Sequence, residues 1–274
     1  MWRRLFSLLL VAVVCAPSVL LMSACGVMTV DGVGAEVNLE GYEMVFFDDF
    51  EGLSLNLDLW EYRKSGRRRG GFLHPDQVTV ENGNLVITAE YTENKYGEGW
   101  YAGMIRTKEE FCGGYFEIRC VCNAADNFWS AFWITTEGVY EHDVSQGGIY
   151  GAEIDIFETY KDKDGSRRNR VFSSIHCNGS DEDVENIDSK RIAQAEVKNL
   201  CSEYNTFGLM WTEEEYIFYV NGVETGRSAF GSGVSRVPEY ILVSLEIPNE
   251  IGLEKTEMTK FVVDYVKIYQ KKPQ

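Results

Sequence analysis

From Met44 onward the chain is a succession of short runs rich in Val, Ile, Phe, Tyr and Trp, broken by turn residues, and almost none of it repeats apolar residues at helical spacing. Alternation at period two suits a pleated strand with one buried face, and no helix-length segment competes with that reading. Strand-like runs fall at 44–50, 77–91, 104–108, 115–122, 128–135, 153–160, 171–177, 207–211, 216–226, 240–247 and 261–269. Two of these contain hairpin turns, at Asn82-Gly83 and Asn221-Gly222, because this dipeptide accepts the positive φ values of a tight turn. Many strands without alternating helices predict an all-β chain, an antiparallel two-sheet sandwich of the jelly-roll kind with a concave cleft. The acidic stretch 179–203 is irregular by comparison, with a helical turn expected near 192–200. Fifteen Tyr, fifteen Phe and six Trp against five Pro supply ample material for one core.

Inside this pattern one strand is chemically odd. Gly151-Ala-Glu153-Ile-Asp155-Ile-Phe-Glu158-Thr-Tyr160 sets three carboxylates among residues that should pair into a sheet. Glu153 and Asp155 share one face and Ile154 and Ile156 the other, so strict pleating would turn Glu158 into the core. A buried, unpaired carboxylate is costly or must stay protonated. One extra residue between Asp155 and Glu158, a β-bulge, returns Glu158 to the side of the other acids, and bulges favour the neighbourhood of active sites. Paired carboxyls, one ionised and one protonated, are what retaining glycoside hydrolysis needs. The competing reading is an acidic solvent face on an edge strand. Nearby, Trp129-Ser-Ala131-Phe-Trp133 puts two indoles on one face around a small Ala, with Phe128 and Phe132 on the other. Such a pair is either core or a platform for the apolar faces of sugar rings.

The ends and the charge bound the setting. Met1-Trp-Arg3-Arg4, an apolar run over 5–21 and Met22-Ser23-Ala24-Cys25 read as a secretory signal over 1–24 with lipidation at Cys25; simple release into the medium and a spanning anchor are the alternatives. Residues 25–40 then form a tether and 41–274 the catalytic domain, expected as a monomer whose only membrane contact is the lipid. A formal charge of −17 argues against nucleic acid or anionic lipid as a broad partner. The exception is the basic loop Arg63, Lys64, Arg67, Arg68 and Arg69, a solvated loop or a contact for a sulfated or uronic polysaccharide. Neither a disulfide framework nor a zinc site is suggested by the spacing of Cys112, Cys120, Cys122, Cys177 and Cys201 and of three His.

Taken together, Glu153-Ile-Asp155-Ile-Phe-Glu158, Gly114-Tyr-Phe-Glu117-Ile-Arg119, Trp129-Ser-Ala-Phe-Trp133 and Val263-Asp264-Tyr-Val-Lys-Ile-Tyr269 resemble, in order, segments of glycoside hydrolase family 16, the laminarinase-like β-glucanases. The resemblance implies a jelly roll and a retaining endo-hydrolase of β-1,3 or mixed β-1,3/1,4-glucan. By position, Glu153 is implied as nucleophile, Glu158 as acid and then base, and Asp155 as the residue that orients them. Trp129, Trp133, His176 and, on weaker grounds, Trp211 are implied sugar contacts. No cofactor is implied for catalysis, although some members hold a structural calcium at positions matching Asp264 and Gly83. This chain has Ser130 where the family has Pro, and Ile241-Leu-Val-Ser244-Leu-Glu246 where many β-glucanases carry L-N-x-A. The second departure bears on the substrate and leaves a galactan of agar or carrageenan type as the alternative to a glucan; a non-catalytic lectin-like sandwich is the alternative from another class.

Overall fold

Alternation in the sequence becomes pleat in the molecule. In strand Gly114–Val121 the side chains of Phe116, Ile118 and Cys120 are buried while Glu117, Arg119 and Val121 face outward. The structure, a computed structural model, describes residues 21–22, 27–140, 148–159, 169–177, 188–229, 233–251 and 253–273. These form two packed sheets. The first runs Leu21–Met22, Met28–Val30, Asp188–Val197, Arg170–Cys177, Glu153–Glu158, Trp129–Thr135, Tyr240–Glu246, Met104–Thr107 and Trp60–Tyr62. The second runs Val223–Ser228, Tyr216–Val220, Asn205–Trp211, Gly114–Val121, Met258–Lys271, Leu85–Asn94, Gly97–Ala102, Gly71–Leu73 and Gly66–Arg68, with Tyr42–Asp48 and Val78–Val80 at its sides.

The core lies between the sheets. Ile154, Ile156 and Phe157 of the acidic strand point into it, and the Phe157 ring meets Phe207 of the opposite sheet at 4.0 Å between centroids. Each such side chain contributes about 1.5–3 kcal/mol when fully buried, so this strand is anchored from the side opposite its acids.

Three expectations change. The sheets are mixed rather than purely antiparallel, because Met28–Val30 runs parallel to Asp188–Val197 and Gly71–Leu73 parallel to Gly97–Ala102. The helical turn near 192–200 is a strand over Asp188–Val197, whose small residues Ala193 and Ala195 are buried while Glu196 faces out. The described part of the segment read as a tether packs on the body. Val27, Met28 and Val30 are buried, and Gly34 N–H donates to the Asn221 carbonyl at 2.7 Å. The leader over 1–24, apart from 21–22, lies outside the described residues, as does Cys25.

Both Asn-Gly turns form as read, with φ of 54° and 70° at Asn82 and Gly83 and of 49° and 75° at Asn221 and Gly222. They differ in what a methyl group would meet: at Gly222 the backbone oxygen of Ala35 at 2.7 Å, at Gly83 only the flexible end of Glu51 at 2.8 Å. Gly222→Ala is therefore expected to cost roughly 2 kcal/mol or more and Gly83→Ala about 1 kcal/mol, read as shifts in the urea midpoint at constant slope.

Candidate active site

Strand Glu153–Glu158 sits between Trp129–Thr135 and Arg170–Cys177, and its register breaks where the acids required it. Asp155 faces Ser174 and Glu158 faces Phe172, so the acidic strand takes three steps where its neighbour takes two. On the other side Phe132 faces Phe157 and Trp133 faces Asp155, which makes Ile156 the extra residue of the bulge. Ile156 and Phe157 both go to the core, and Glu158 returns to the face of Glu153 and Asp155. All three acids, with Trp129, Trp133 and His176, line one cleft of about 540 Å³.

Hydrogen bonds hold two of the acids, Asp155 and Glu158, in place. Asp155 is buried, and its Oδ2 meets His176 Nε2 at 3.0 Å, while Ser189 Oγ contacts the other imidazole nitrogen. One oxygen each of Glu153 and Asp155 and one nitrogen of His176 lie within 4.8 Å of one another. Trp129 Nε1 donates to Glu158 Oε1 at 3.0 Å, and Trp133 Nε1 donates to Ser244 Oγ at 3.1 Å. The indoles are thus bound to the cleft face by their polar edges as well as by packing.

The electrostatics follow from crowding. Burial, then the nearby Asp155 charge, pushes the Glu153 carboxyl up to about 7; His176 and Arg68 oppose the shift. The same two causes, with Glu153 added, push Glu158 further, to about 8. His176 is also raised: burial works against its charge, but the Asp155 hydrogen bond and the surrounding carboxylates win. A cluster that resists full ionisation retains a proton near neutrality, held by the pair Glu153 and Glu158.

One residue expected in the cleft lies elsewhere, and the two expected at a separate calcium site are already engaged. Trp211 is in the other sheet, 2 % exposed, with Nε1 donating to the Ser235 carbonyl at 3.1 Å. It shares the core-facing parity of Phe207 and Leu209 and stacks on Phe116 at 6.0 Å, so it does not meet the cleft. Asp264 Oδ2 accepts from Arg119 Nη1 at 2.5 Å, and Gly83 lies against the Glu51 carboxylate. A carboxylate already matched with a guanidinium does not fit an open calcium cradle.

Three residues escape the sequence reading: Glu246, which lines the cleft, and Ser189 and Ser244, which hydrogen-bond to His176 and Trp133 there. Ser189 sits in the stretch taken as irregular, and Ser244 and Glu246 were noticed only as departures in strand Tyr240–Glu246. The basic loop does line the cleft. Part of its charge is matched: Arg63 Nη1 pairs with Glu137 at 3.0 Å, and Arg68 with Glu246 at 2.9 Å.

A model of the GH16 domain of β-porphyranases A–D matches residues 44–271. The endo-1,3-1,4-β-glycanase ExsH of Rhizobium meliloti (strain 1021) is 29 % identical over 203 residues, which take in 70 % of this chain and 39 % of that protein. The chain therefore spans well under half the length of the curated relatives it matches. In fold it is similar to SCLam, a non-specific endo-β-1,3(4)-glucanase from family GH16, with 21 % identity and a TM-score of 0.69 over 88 % of this chain and 96 % of that one. The endo-β-1,3-glucanase from Pyrococcus furiosus gives 20 % and 0.68 over 85 % and 96 %.

Proposed function

Because the chain belongs to glycoside hydrolase family 16, we propose that it is a retaining endo-glycosidase that cleaves β-1,3 or mixed β-1,3/1,4-linked glucan. The observation that carries the reading is the bulge at Ile156, which delivers Glu158 to the cleft beside Glu153 and Asp155. Glu153 attacks the anomeric carbon as the glycosidic C–O bond breaks, and Glu158 gives its proton to the leaving oxygen. Since Glu158 Oε1 accepts the Trp129 N–H, that proton sits on Oε2. In the second half Glu158 takes a proton from water, the water oxygen bonds the anomeric carbon, and Glu153 leaves as a carboxylate. Asp155, tied to His176, orients the pair and raises both pKa values by its charge. Trp133 and His176 contact the sugar chain.

A second reading, hydrolysis of a galactan of agar or carrageenan type, draws on the matching domain model, which is that of β-porphyranases rather than of a glucanase. Export with lipidation at Cys25 completes the proposal, on the strength of the basic and apolar leader and Ser23-Ala24-Cys25. Reducing ends released from laminarin, lichenan, agarose and carrageenan decide among the readings. We expect the fastest release, as oligosaccharides, from one of the two glucans. Faster release from a galactan selects the second reading, and retention of polysaccharide with no release from any of the four reduces the protein to a binder.

A further inference from the structure

The hairpin of Gly66–Arg68 and Gly71–Leu73 belongs to the second sheet yet reaches over the cleft of the first. Glu246 holds it there. This residue ends strand Tyr240–Glu246, is the cross-strand neighbour of Trp129, and is 3 % exposed. Its carboxylate accepts from Arg68 Nε at 3.0 Å and Nη2 at 2.9 Å, a two-pronged contact that fixes orientation as well as distance, and Arg69 Nε lies 3.7 Å away. Arg69 then lays its guanidinium over the Trp129 indole, 4.7 Å from the ring centroid.

The backbone shows that this placement is built in. Arg69 has φ of 52°, a left-handed conformation that costs a residue with a side chain about 1–2 kcal/mol. Such strain persists only where the surroundings enforce it. At the next residue, Gly70, a β-carbon would stand 2.3 Å from the carbonyl oxygen of Pro248, so only glycine lets the loop come this close. The consequence falls on Trp129. With its N–H on Glu158 and its face under Arg69, it is 6 % exposed and offers no open ring, while the Arg69 side chain is 44 % exposed.

We propose that Arg69, positioned by Glu246 and Arg68, is the specificity-determining surface of the subsite at Trp129. A sugar ring arriving there meets guanidinium donors, which select hydroxyl or anionic substituents in their plane, instead of a bare indole that accepts any apolar sugar face. The inference rests on the cleft being the polysaccharide site proposed above. It separates from that reading because binding tests it without turnover.

The test is affinity gel electrophoresis of the full chain in gels containing laminarin, lichenan, agarose or carrageenan, beside acrylamide quenching of tryptophan emission. Arg69→Ala is expected to raise quenching, because Trp129 becomes uncovered, and to weaken retardation by the best-bound polysaccharide about tenfold. Where turnover is measurable, KM rises by a similar factor while kcat changes less than about twofold. Glu246→Gln moves both readouts in the same direction, and thermal unfolding checks that each variant is folded. Raised quenching with unchanged or tighter binding would overturn the proposal, since the bare indole would then serve the sugar as well. So would a wild-type protein that none of the four polysaccharides retards. Binding without hydrolysis by the wild type sinks the proposed reaction and leaves the Arg69 comparison decisive.

Discussion

Replacing Glu153 by alanine is expected to lower hydrolysis of the best polysaccharide by about 10⁴-fold or more, because among the described residues no other carboxylate in the cleft is placed to take over the nucleophile's role proposed for it. Asp155 cannot take over. Its carboxylate is 3 % exposed and its Oδ2 is held by His176 at 3.0 Å. The variant should keep its fold, since Glu153 begins its strand and contributes nothing to the core packing carried by Ile154, Ile156 and Phe157. Removing one charge from a crowded cluster, if anything, relieves repulsion. The distinguishing measurement is chemical rescue. With an activated aryl β-glycoside and sodium azide, the anion enters the space left by the carboxylate and attacks from the same side, so the product is the α-glycosyl azide. A β-glycosyl azide would assign Glu153 the acid–base role instead, and near-normal turnover without azide would end its assignment as nucleophile.

What the sequence disclosed, and what it did not, follows from how far apart the partners lie. The bulge was legible because the conflict is local: within six residues, Ile154 and Ile156 demand one face and Glu158 refuses it. The Asn-Gly turns were legible for the same reason. Strand Asp188–Val197 was not, because Ala193 and Ala195 have little intrinsic strand preference and are extended by pairing with Arg170–Cys177 on one side and Met28–Val30 on the other. Trp211 was misplaced because an inward indole and a cleft-facing one look alike until the parity of the whole strand is known. The Arg68–Glu246 contact joins residues 178 positions apart. No pattern in either segment announces it, and it is what turns a charged loop into one wall of the cleft.

Glu158→Gln should separate the two halves of the reaction. On polysaccharide, whose leaving oxygen is a poor leaving group, the loss is expected to be about 10²–10⁴-fold, the usual worth of a positioned acid. On an aryl glycoside with a dinitrophenyl leaving group, which departs without protonation, the first step should survive, and the glycosyl-enzyme should accumulate because the base for water is gone. A burst of dinitrophenol followed by slow turnover is the expected trace. The pH profile carries the sign of the argument. Glu158 acts protonated and its pKa is raised to about 8, so kcat/KM of the wild type should fall as pH rises through that value. Glu153 acts ionised with its own pKa raised to about 7, so activity should also fall as pH drops below it, leaving a narrow bell. In Glu158→Gln on the activated substrate the alkaline limb should vanish while the acid limb stays near 7, because Glu158 is already uncharged where Glu153 titrates. An unchanged alkaline limb in that variant would show that the proton donor is another group, with His176, whose pKa is also raised and whose Nε2 lies 3.0 Å from Asp155, as the next to replace.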